Sequence, residues 1–191
     1  MNAGKIIKSY YFLFLVAGLI ILIDQVSKAY VRTAFSGPEG YQMWAPWDWL
    51  LPYARIVHIT NTGVAFGMFQ GLGIIFTVLA LVVASGIIYY FPHVPQSDWV
   101  LRLSMSMMLG GALGNLIDRI TNNGRVTDFI SVGNFAVFNV ADASITVGVI
   151  ILILGMWVQE TRQKKAEKKA REQRLDSTIN NDPSSQDGHT G

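Results

Sequence analysis

Residues 72–91 read LGIIFTVLALVVASGIIYYF, 20 positions without a single charge. About 20 consecutive apolar residues are what a helix needs to cross a hydrocarbon core ~30 Å thick. This stretch therefore predicts a membrane span. Three more candidates lie on either side of it. The first follows Lys5 and Lys8 and covers 9–31, with Asp24 and Lys28 near its far end. The third covers 99–120, with Arg102 near its start and Asp118 near its end, and the fourth covers 139–158, with Asp142 in its first turn. The first stretch is too long for a removable signal peptide, and no A-x-A-like cleavage site follows it. The expected fold is an all-α membrane protein of four transmembrane helices.

Composition agrees with that pattern. Charged residues make up only 15% of the chain, against about 25% in a typical soluble domain, and they crowd into the segment after 159. A net charge of +2, with no aromatic-studded basic groove, gives no reason to expect a nucleic-acid partner. The chain has no cysteine, which excludes disulfides, thiol catalysis and thiolate metal sites.

Between the spans, residues 53–60 (YARIVHIT) alternate loosely and contain β-branched residues, so they predict a short strand. A second strand is expected within 121–138, after a turn at Asn122-Asn123-Gly124. Together they would form a small extracytoplasmic β element. Trp44, Trp47, Trp49, Tyr41 and Tyr53 resemble an interfacial aromatic belt. Three segments are expected: a four-span domain over 1–158, a basic cytoplasmic helical extension over 159–175, and a disordered tail over 176–191.

Lysine and arginine placement sets the orientation. Four spans put both termini on one side. With them lie Lys5, Lys8, Arg102, Arg162, Lys164, Lys165, Lys168, Lys169, Arg171 and Arg174; opposite lie Lys28, Arg32, Arg55, Arg119 and Arg125. The excess predicts cytoplasmic termini.

Ionisable residues inside spans are costly and usually functional. At 1.5 Å per helical residue, Asp24 lies roughly 24 Å beyond Lys8, Asp118 roughly 24 Å beyond Arg102, and Asp142 roughly 27 Å before Glu160. The three carboxylates thus converge near the outer boundary of the core. Asp128, in the apolar segment Val126-Thr127-Asp128-Phe129-Ile130, can dip back to join them. Two carboxylates brought together there cannot easily both ionise, so one keeps a proton and an acid stands beside a base. Other hydrolytic equipment is missing from the sequence: there is no H-E-x-x-H, no G-x-S-x-G and no histidine within a span, so no metal or cofactor is implied. Ser27 and Lys28 are adjacent and point about 100° apart on a helix, which makes a Ser-Lys pair improbable. Converging carboxylates also build proton relays, so a proton-coupled transporter remains an alternative at this point, as does a structural membrane subunit.

Five motifs occur in order on this frame: Asp24-Gln25-Val26-Ser27-Lys28, then Asn61-Thr62-Gly63-Val64-Ala65-Phe66-Gly67, Gly114-Asn115-Leu116-Ile117-Asp118-Arg119, Val126-Thr127-Asp128-Phe129 and Phe138-Asn139-Val140-Ala141-Asp142. In that order they resemble the lipoprotein signal peptidase (signal peptidase II) family over roughly residues 10–158. Val64, Thr127 and Ala143 are small departures, and none of them falls on a carboxylate position. The resemblance implies an aspartyl endopeptidase of the bacterial inner membrane. It would remove signal peptides from prolipoproteins, cutting just before a diacylglyceryl-modified cysteine, with Asp128 and Asp142 as the catalytic pair. Asn61, Asn115, Arg119 and Asn139 match positions lining the substrate site, and Asp24, Lys28 and Asp118 match polar positions near it. The resemblance also implies contact with membrane lipids and inhibition by the cyclic peptide globomycin. On residue type alone, Asp118 reads first as a structural carboxylate that pairs with Lys28 or Arg119 and holds the bundle together.

Overall fold

The structure, a computed structural model, describes residues 3–40, 42–61 and 73–180. Its helices are α1 (Ala3–Ala34), α2 (Gly73–Tyr90), α3 (Trp99–Thr121) and α4 (Val140–Asn180); its strands are β1 (Ala54–Asn61) and β2 (Val126–Val132). Each helix contains a stretch long and apolar enough to cross a membrane. The predicted spans agree with these helices to within a few residues, except that α1 begins before Ser9 and α4 continues well past Val158. Nothing interrupts α4 there, because the Lys/Glu-rich sequence that follows favours helix. The helix runs on to Asn180, past Asp176, where the sequence reading placed the start of the disordered tail. The residues from Asp176 to Asn180 include no proline or glycine, and the next proline along the chain is Pro183. The 181–191 part of the tail lies outside the described residues, as do Tyr41 and the 62–72 segment that carries most of the Asn61–Gly67 motif. The chain divides into two units, Met1–Leu152 and Ile153–Gly191. The first holds all four helix starts and both strands; in the second the described residues are the remainder of α4.

The four helices differ in what covers them. In α3, 56% of the most apolar window is buried inside the protein, against 22% in α1 and 17% in α2 and in α4. Helix α3 is therefore the central one, and the others turn most of their surface outward, as lipid contact requires. Its glycines set the spacing. A Cβ at Gly111 would collide with the Ala141 carbonyl, and one at Gly114 would stand 2.7 Å from an Asp24 carboxylate oxygen. Small residues at such crossings let backbones approach closely in a membrane. Packed between α1, α2 and α3 is an apolar cluster that includes Leu13, Ala17, Ile87, Phe91 and Leu109. At the start of α3, the buried Arg102 guanidinium lies 4.4 Å from the Phe91 ring centroid and donates to the Ser9 and Val94 carbonyls. The ring face and the two carbonyls take up the buried guanidinium.

The two strands, separated in sequence by two spans, pair antiparallel. The turn before β2 falls at the expected residues: Asn123 and Gly124 take φ of 53° and 82°, a region that asparagine and glycine tolerate best. The ladder is not regular. Ile56 pairs with Ile130 but Ile59 pairs with Asp128, so β1 spends three steps where β2 spends two. That extra residue is a β-bulge, a device that bends a strand and re-aims its side chains.

Candidate active site

Asp128 enters the site from β2 and Asp142 from the first turn of α4. The chain between them is folded tightly. The N–H groups of Phe129 and Ile130 both donate to the Phe138 carbonyl, and the Phe138 N–H donates back to Ile130. This return stroke delivers Asn139 beside Asp128 immediately before α4 begins.

Asn139 then does two things. Its side-chain Oδ1 accepts the Asp142 N–H at 2.9 Å while an Asp142 carboxylate oxygen accepts the Asn139 N–H at 3.2 Å. That reciprocal pair is a capping box, with aspartate in the third helical position. Its Nδ2 donates to Asp128 Oδ1 at 2.7 Å. A single, fully buried asparagine therefore ties the two aspartates together. Asp128 Oδ2 also accepts from Asn61 Nδ2 at 3.1 Å, and Asp142 Oδ1 accepts from Asn115 Nδ2 at 2.7 Å.

Behind this pair stands a buried charge cluster. Lys28 Nζ lies 2.8 Å from Asp24, 3.6 Å from Asp118 and 2.9 Å from Asn115 Oδ1, and Lys28, Asp24 and Asp118 all have zero exposure. Asp24 and Lys28 are four residues apart on α1, the spacing that places side chains on one helix face. Asp24 Oδ1 also accepts the Ala141 N–H at 2.9 Å, which satisfies one of the free donors at the start of α4. Asp118 Oδ2 accepts the Thr127 N–H at 2.9 Å, one residue before Asp128. The cluster thus holds the backbone beside each aspartate.

The sequence left open whether Asp118 pairs with Lys28 or Arg119. In the structure it pairs with Lys28, and with Arg32 at 3.6 Å. Arg119 instead faces the cleft, its guanidinium 5.8 Å from the Phe76 ring centroid. Ser27 donates to the Asp24 carbonyl, while the Lys28 amine is held by Asp24, Asp118 and Asn115. Three participants have no site role in the sequence reading. Arg32 donates to Thr127 Oγ1 at 3.1 Å, and Gln25 Nε2 lies within hydrogen-bond distance of Asp24, Asp118 and the Gly114 carbonyl. Thr127 itself was noted only as a departure from a motif. The Asn139-x-x-Asp142 spacing is the one signal that could have revealed the capping box.

Asp128 and Asp142 both line a cleft of about 750 Å³. Asn61, Asn115 and Arg119 also face it, while Phe76, Leu79, Val83, Met108 and Val147 give it apolar walls. Burial is the main cause that pushes the Asp128 carboxyl up to about 7, and the charge of Asp142 adds to it; the Asn61 and Asn139 amides and the Lys28 charge oppose the shift. At neutral pH Asp128 is thus part protonated beside a second carboxyl group. Chemically, the cleft offers a proton donor and a proton acceptor side by side, amide donors around them, and a greasy channel for an apolar ligand. Among the described residues no cluster of histidine and acidic side chains could hold a metal ion.

Comparison with known proteins finds relatives over most of the chain. The family model described as signal peptidase (SPase) II matches residues 16–158. The lipoprotein signal peptidase of Thermodesulfovibrio yellowstonii is 37% identical over 139 residues, covering 71% of this chain and 87% of that protein. Its counterpart in Moorella thermoacetica is 38% identical over 138 residues, covering 72% and 87%. A bacterial membrane enzyme solved by the in meso method superposes with a TM-score of 0.69 at 28% identity, over 78% of this chain and 90% of that one.

Proposed function

The chain belongs to the signal peptidase II family, a family of proteases, and from that premise we propose that it is an aspartyl endopeptidase that removes signal peptides from diacylglyceryl-modified prolipoproteins. The cut falls just before the lipidated cysteine. The observation that carries this reading is the pair Asp128 and Asp142, joined through Asn139 at the head of an apolar cleft. The apolar walls receive the signal helix and acyl chains. Asn61, Asn115 and Arg119 hold the scissile segment in extended form, Arg119 offering its donor fork to backbone carbonyls or to lipid phosphate.

In the reaction, Asp142 takes a proton from a water lying between the carboxyl groups, and that water attacks the scissile carbonyl carbon. Asp128, which holds the shared proton, gives it to the carbonyl oxygen. Collapse of the tetrahedral intermediate breaks the C–N bond, and the proton now on Asp142 leaves with the amine. The oxygen's proton returns to Asp128, which restores the starting state. Asp24, Lys28 and Asp118 act behind the pair, as supports for Asn115, Ala141 and Thr127. The charge asymmetry along the chain supports cytoplasmic termini in the bacterial inner membrane, with the site near the periplasmic face. Globomycin would occupy the same cleft.

The test is cleavage of a diacylglyceryl-modified prolipoprotein by purified protein. Asp128→Asn and Asp142→Asn are each expected to lose at least ~10²–10⁴-fold in rate, the contribution of general acid–base catalysis, and to retain globomycin binding. Near-normal turnover by either folded variant would rule out the pair.

A further inference from the structure

One surface of the molecule serves neither the cleft nor the bundle. Between α1 and β1 the chain reads MWAPWDWLLPY over 43–53. Met43, Trp44, Trp47, Trp49 and Tyr53 are 51%, 56%, 60%, 67% and 67% exposed. Trp47 and Trp49 stack with ring centroids 6.1 Å apart. While these side chains stand uncovered, the backbone that ends the segment turns in on itself. Leu50, Leu51 and Tyr53 donate to the carbonyls of Trp47, Asp48 and Leu50, and the segment carries one charged side chain, Asp48.

We propose that residues 43–53 form a foot seated at the headgroup boundary of the bilayer that the chain itself spans, in the leaflet at the sheet end of the bundle. Tryptophan and tyrosine rings, apolar in body and polar at one edge, collect at that boundary. The N–H groups of Trp44, Leu50, Leu51 and Tyr53 are bonded within the protein, which suits a segment at the wet edge of the bilayer rather than in its dry core. The end of α1, a membrane-spanning helix, and the aromatic segment are attached to the same strand: the Phe35 carbonyl lies 3.0 Å from His58 Nδ1, and Trp44 is bonded to Ile56. Both are thus held at the sheet end of a bundle whose helices span the bilayer.

The foot is fastened to the sheet. Trp44 and Ile56 exchange both backbone hydrogen bonds, at 3.0 and 2.8 Å, and Gly133 N–H donates to the Tyr53 carbonyl at 2.6 Å. Trp44 is thus bridged to β1, whose Ile59 pairs with Asp128. The foot sets the height of the sheet against the bilayer, and on the protease reading it also sets the depth at which Asp128 meets a membrane-held substrate.

The test uses full-length protein with Trp99→Phe and Trp157→Phe, which leaves Trp44, Trp47 and Trp49 as the only tryptophans. It is placed in nanodiscs of phosphatidylglycerol and phosphatidylethanolamine whose acyl chains are brominated close to the headgroup. Emission is expected to fall by about half or more relative to unbrominated discs, with a blue-shifted maximum, since interfacial indoles lie within reach of those bromines. A smaller fall overturns the proposal, and so does quenching by aqueous iodide as strong as that of free tryptophan, which would mark a water-facing surface kept for another protein. The readout needs no turnover. Strong bromolipid quenching in a protein that cleaves no prolipoprotein would leave the foot standing and remove the protease reading.

Discussion

Replacing Lys28 with methionine keeps most of the side-chain volume and removes the charge. Lys28 has zero exposure and stands between Asp24 at 2.8 Å and Asp118 at 3.6 Å, both also fully buried. The methionine variant leaves two carboxylates in a site they share, with Arg32, 3.6 Å from Asp118 and a third exposed, as the remaining cation within ion-pair distance of Asp118 among the described residues. Removing one partner of a buried ion pair costs about 3–5 kcal/mol, because the other charge stays buried and uncompensated. For a chain of 150–250 residues, at about 2–4 °C per kcal/mol, that corresponds to a Tm lowered by roughly 6–20 °C. Asp24→Asn is the compensating change. The amide keeps an Oδ1 that can accept the Ala141 N–H, so the support of α4 survives while one negative charge disappears. The measurement is thermal unfolding in detergent for the two single variants and the double variant. The double variant is expected to regain at least half of the loss. A Lys28→Met protein within about 1 kcal/mol of the parent, the worth of a surface pair, would show that the cluster is solvated and that the argument from burial is wrong.

Other expectations follow from the same geometry. Because Asp128 rises to about 7 and serves as the acid, cleavage should decline as pH climbs through 7; a rate still rising at pH 8 would exclude that assignment. The sign for stability follows from a folded value lying above the unfolded one. Protonation of Asp128 favours the fold, so stability is full below about 4 and is lost as pH rises to about 7, by up to ~4 kcal/mol. Asp128→Asn should abolish that loss in urea or thermal unfolding at pH 8, while matching the parent near pH 4. Gly111→Ala drives a methyl into the Ala141 carbonyl and should cost about 1–3 kcal/mol, as overpacking does, with a lower Tm as readout; an unchanged Tm would mean that α3 and α4 can separate freely. Reporter fusions at residues 45 and 130 should report the periplasm and one at 165 the cytoplasm, and the inverse pattern would reverse the proposed orientation.

Much of this protein was written locally. Spans need only length and hydrophobicity, because lipid imposes one solution on the backbone: every N–H and C=O must bond within the helix. That is why 72–91 could be read from a single stretch, and why Asp24, Asp118 and Asp142 could be brought to one depth by counting residues. The turn at Asn123-Gly124 was equally local, since positive φ selects those residues. The motif order carried the family, and with it the candidate pair. What the chain could not state was who faces whom. Charge type and spacing allowed Asp118 to meet Lys28 or Arg119, and the rotation of α1 against α3 chose Lys28 and Arg32. Gln25 and Thr127 stand in their motifs without a role until packing turns them toward Asp118. The bulge opposite Asp128 depends on pairing two strands that lie two spans apart, and no local pattern encodes such a slip. Asn139 shows the division most plainly: its place three residues before Asp142 marks a helix cap, but its grip on Asp128 exists only because the hairpin return brings β2 and α4 together in space.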